Sequence, residues 1–64
     1  MQLTQTETWW VEECAKAEAL MVKKCQMIQQ VAQDPQLQQI CRNLEQTHRR
    51  HIDTIASVTR RPGF

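Results

Sequence analysis

The segment Glu45-Gln-Thr-His48 holds the residues best suited to chemistry in this chain. An i,i+3 spacing sets the Glu45 carboxylate and the His48 imidazole on one face of a helix. Helix bundles hold iron or manganese with such a Glu-x-x-His pair and a further carboxylate from a neighbouring helix. Glu18 is the carboxylate that the other half of the chain offers. The candidate metal ligands are therefore Glu18, Glu45 and His48. Two copies of the chain would supply four carboxylates and two histidines, the inventory of a dinuclear iron or manganese centre. A second set, Cys14, Glu18, His48 and His51, has spacings that suit a single zinc ion. The plain alternative is a Glu18–His48 hydrogen bond at a partly wet helix interface, with Glu45 in solvent. No nucleophile–base–acid constellation and no glycine-rich phosphate loop is present, so the sequence gives no positive sign of an enzyme.

These side chains have to be positioned by two helices. Asp34-Pro35 is a helix-start signal, with Asp as N-cap and Pro at the first helical position. Pro also disfavours helical geometry at the residue before it, which ends the preceding helix near residues 31–33. On either side of this break the chain is rich in Ala, Glu, Gln, Lys, Leu and Met, all good helix formers, and no glycine occurs before Gly63. The expected elements are a helix over about residues 6–32, capped by Thr4 or Thr6, a turn at 33–35, a helix over about 35–59 and a tail at 60–64. Mirror pairing through the turn sets Cys25 level with Cys41, Glu18 with His48, Met21 with Glu45, and Trp10 with Ile55 and Ala56. Glu18 and His48 then approach each other inside the hairpin.

Apolar spacing fits the same plan. Trp10, Cys14, Ala17, Met21, Ile28 and Val31 recur at threes and fours in the first helix, and Leu20, Cys25, Met27 and Ala32 widen that stripe. Leu37, Ile40, Cys41, Leu44, Ile52, Ile55 and Val58 do the same in the second. Such stripes are wider than one antiparallel partner can cover. A chain of 64 residues lies near the lower limit for a self-sufficient core, so a second copy is the expected source of more. The fold class is all-α: an antiparallel two-helix hairpin that dimerises into a four-helix bundle. Of the adjacent Trp9 and Trp10, one is expected to fill the bundle end and the other to cover a subunit boundary.

Composition narrows the partners. The net charge of +1 favours no polyanion, and the arginines of the second half read as solvated helix surface, so no nucleic-acid partner is expected. No apolar run approaches the roughly 20 residues of a membrane span. The opening residues, MQLTQTETWW, lack the charged and apolar regions of an export signal. The odd cysteine count, three, and the apolar helical positions of Cys14, Cys25 and Cys41 point to reduced thiols and a cytoplasmic protein.

The stretch Ala17-Glu18-Ala19-Leu20, Lys24, Ala32-Gln33-Asp34-Pro35-Gln36-Leu37, Leu44 and His48-Arg49-Arg50-His51 resembles the spore coat protein F family, small bacterial proteins of ferritin-like helical type. The likeness spans about residues 12–56 and includes a turn similar to that family's A-x-D-P-x-L. Glu18 with Glu45-x-x-His48 is also similar to the half-site of encapsulated ferritins, which assemble an iron centre across a dimer. These resemblances imply half of a ferritin-like bundle, a homodimer, a structural or assembly role and association with spores. A di-metal, ferroxidase-like protein is the alternative, with iron or manganese ahead of zinc. An adaptor that binds another protein's helices is a third.

Overall fold

The computed structural model describes residues 2–59, and the expected tail at 60–64 lies outside the described residues. Among the described residues the chain is all-helical: α1 spans Gln5–Val31 and α2 spans Pro35–Thr59, packed against each other as a hairpin. Neither helix is long and apolar enough to cross a membrane. At 27 and 25 residues the helices match in length, each about 40 Å at the usual rise.

Local chemistry sets each helix end. Thr4 is the N-cap of α1: its Oγ1 accepts the Glu7 N–H at 3.1 Å, and its own N–H donates to Glu7 Oε1 at 2.9 Å. This reciprocal pair satisfies two donors that a helix start leaves free. Thr6, the other candidate cap, lies within the first turn. The helix ends at Ala32, which is extended (φ −71°, ψ 135°), as suits a turn that must feed Pro35. Asp34 Oδ1 then accepts the N–H groups of Gln36 and Leu37 at 2.7 and 3.2 Å and starts α2. Gln38 Nε2 donates back to the Ala32 carbonyl at 2.6 Å and ties the turn shut.

The hairpin closes along a seam with heptad spacing. In α1 the buried or half-buried positions include Val11, Ala15, Glu18, Val22, Cys25 and Gln29, followed by Ala32 at its C-cap. In α2 they include Gln38, Cys41, Glu45, His48, Ile52 and Ile55. Alternating steps of three and four keep one narrow line of side chains against an antiparallel partner. Among the described residues only Val22, Cys25 and Cys41 are buried. All three cysteines are free thiols, and burial pushes the Cys25 thiol up, with Cys41 beside it adding to the rise. A thiol in such surroundings acts as a small, inert hydrophobe. Cys25→Ala or Cys41→Ala is expected to cost about 1 kcal/mol or less in a chemical melt, because so little volume is removed. Cys41→Leu should cost about 1–3 kcal/mol by forcing the helices apart. A larger loss for alanine than for leucine would contradict this packing.

The stripe read from the sequence in α1 is not this seam. Trp10, Cys14, Ala17, Met21, Ile28 and Val31 each precede a seam residue by one, which turns them about 100° around the helix. Leu37, Ile40 and Leu44 stand in the same relation to Gln38, Cys41 and Glu45. Because the helices are antiparallel, these opposite senses of rotation bring both stripes to the same side of the hairpin. They form one open apolar face there, with Met21 37 % and Val31 76 % exposed. Trp10 accordingly lies outside the seam at 57 % exposure, not inside against Ile55 and Ala56. It stacks edge-to-face with Trp9, ring centroids 4.8 Å apart. The Cα envelope of 47 × 17 × 11 Å is that of a single helical layer.

Candidate functional site

Two polar clusters interrupt the seam. The first lies between the turn and the middle of the hairpin and centres on Glu45. Its Oε1 accepts Gln29 Nε2 at 2.8 Å, while Oε2 accepts Arg49 Nε at 2.9 Å and Gln26 Nε2 at 3.4 Å. A second Arg49 nitrogen lies 2.9 Å from the same oxygen. The Gln29 hydrogen bond, seconded by that of Arg49, holds the Glu45 carboxyl below its ordinary range. Gln29 also donates to the Cys25 carbonyl one turn back, at 3.1 Å, which fixes its side chain for the task.

The second cluster is built on Glu18, at the level where mirror pairing places His48. His48 Nδ1 lies 2.5 Å from Glu18 Oε2, and His51 Nδ1 lies 3.1 Å from Glu18 Oε1. An ionised carboxylate only accepts, so both imidazoles present Nδ1–H to it. The His48 hydrogen bond is the main reason the Glu18 carboxyl is lowered; the bond from His51 adds to it, against partial burial that works the other way. The two rings meet edge-on, centroids 5.7 Å apart. His48 and Glu18 are mostly covered, whereas His51 is half in solvent and stands on the side of the open apolar face.

The structure thus brings Glu18 and His48 together and keeps Glu45 with Gln26, Gln29 and Arg49. Among the described residues, the set whose ligand atoms lie within 4.8 Å of one another is Glu18, His48 and His51. Cys14, the fourth member of the zinc set, is exposed and lies outside that group. A carboxylate-bridged dinuclear centre needs Glu45 beside Glu18, and within one hairpin its oxygens are already taken by four donor contacts. The chain matches no protein-family model, and no curated protein or solved structure is significantly similar to it. Its chemistry is therefore read from its own geometry.

The role of Gln29 had no precedent in the sequence pattern, where the glutamines near the turn read as soluble surface. The available signal was side-chain direction. Long side chains lean toward the N-terminus of their own helix. In antiparallel helices Gln29 and Glu45 therefore lean toward each other across the intervening turns and meet near the level of Cys25. The same lean sets Glu18 toward His51 as well as His48.

Proposed function

We propose that this chain is a self-associating building block: a helical hairpin that pairs with a second copy into a ferritin-like four-helix bundle and serves a structural or assembly role. The open apolar face carries this reading. Seven large apolar side chains on it (Trp10, Met21, Ile28, Val31, Leu37, Ile40 and Leu44) are more than one-third exposed, while three of the described residues are buried. A patch of that extent on a small chain marks an interaction surface. The second copy is the occupant that fits best. The two helices are of similar length, so the face of one hairpin matches that of another nearly end to end. The net charge is close to zero, so copies do not repel. Adding a second identical layer gives the two-layer packing that helical domains require. A part in the spore coat follows from the resemblance to the spore coat protein F family and rests on that likeness alone.

Light scattering over a micromolar concentration series tests the reading. The expected mass is twice that of the 7.6 kDa chain, with helicity and association lost together on dilution. A cooperative, folded monomer would overturn it. Retention of a different protein in place of the second copy would favour the adaptor. The dinuclear iron or manganese reading draws support from the Glu18–His48 contact but lacks it from Glu45, whose carboxylate is engaged elsewhere.

A further inference from the structure

We infer that Glu18, His48 and His51 bind a single zinc ion, with all three ligands supplied by one hairpin. The argument begins with convergence. One ring nitrogen of each imidazole and a carboxylate oxygen lie within 4.8 Å of one another, and each Nδ1 already touches the Glu18 carboxylate. Tetrahedral zinc with bonds near 2.0–2.2 Å separates its ligand atoms by roughly 3.4 Å, so small side-chain rotations complete the approach. The backbone already supplies the spacing. His48 and His51 are one helical turn apart on α2, and Glu18 faces them from α1.

The donor set selects the metal. Two imidazoles and one carboxylate form the three-ligand set of zinc sites that keep a fourth position open. Magnesium and manganese prefer oxygen donors, and zinc outranks manganese and iron(II) in intrinsic affinity for nitrogen. The proton accounting is simple. On binding, the ring nitrogen that turns its lone pair to the metal gives up its hydrogen, which the other ring nitrogen or solvent takes. The carboxylate stays ionised throughout. His51, half exposed, provides the entry path and leaves the fourth position on the solvent side.

Glu45 and Cys14 have no part in this site. That separates it from the carboxylate-rich arrangement suggested by Glu45-x-x-His48. It also takes no ligand from a second copy, because each hairpin contains all three.

The test is titration of the chelator-stripped, full-length chain with zinc, and with cobalt(II) as a spectroscopic probe. One equivalent per chain is expected, with tetrahedral cobalt absorption and no thiolate charge-transfer band. His51→Ala and Glu18→Gln should each weaken binding by roughly 100-fold or more, since loss of a supporting outer contact alone typically costs 10–100-fold. Glu45→Gln and Cys14→Ser should bind within about twofold of the parent on this ligand assignment. His51→Ala is the deciding variant, because a half-exposed side chain can be removed without emptying the seam, and circular dichroism reports its helicity directly. Absence of stoichiometric binding would overturn the inference. So would unchanged affinity in a folded His51→Ala, or an equal loss in Glu45→Gln. Light scattering on the same samples reads the oligomeric state separately, so failure of the assembly reading and failure of the zinc site are distinguishable.

Discussion

Ile28→Asp or Leu44→Asp is expected to leave the chain largely unfolded at micromolar concentration. In a lone hairpin these positions are 38 % and 45 % exposed, and a charge there would change stability by about 0.5 kcal/mol or less. In the proposed pair both would lie under a second hairpin, where an unpaired carboxylate would cost about 3 kcal/mol or more per chain. The lone hairpin has little to fall back on, since among the described residues only Val22, Cys25 and Cys41 are buried. Dissociation and unfolding are then one event, and the melting temperature of the parent rises with concentration. Circular dichroism melts of both variants beside the parent, each at several concentrations, decide the matter. Variants that melt like the parent, with no concentration dependence, would mean that the open face is not an interface.

Acid weakens the fold. Glu18 and Glu45 both have carboxyl groups held below the ordinary value of 4.5, mainly by the His48 hydrogen bond in one case and the Gln29 hydrogen bond in the other. The unfolded chain therefore binds protons at a pH where the folded chain still resists them. Stability from these two groups is complete above about 4.5 and is lost as the pH falls through their lower folded values. The expected result is a melting temperature that declines steadily from pH 4.5 downward, with uptake of up to about two protons per chain on unfolding. The double variant Glu18→Gln/Glu45→Gln should show a much flatter profile over the same interval. An equally steep decline in that variant would assign the acid sensitivity to other groups.

The sequence by itself determined the helices and the break between them. Thr4, Asp34 and Pro35 act within a few residues of their own backbone, so their effects do not depend on distant packing. It also determined that Glu18 and His48 face each other, because a short turn fixes which levels of two antiparallel helices meet. Tertiary structure decided which of two stripes closes the hairpin. The stripes have the same heptad rhythm and differ by one residue, about 100° of rotation, so periodicity cannot choose between them. Small side chains at Ala15, Cys25 and Cys41 allow close helix approach along one stripe, and the polar groups within it are satisfied in pairs, Glu18 with His48 and Glu45 with Gln29. The bulkier, more apolar stripe is thereby left facing out. That rotation also decided the site. It turned His51 toward Glu18, and the lean of long side chains along antiparallel helices carried Glu45 to Gln29 rather than to the histidines.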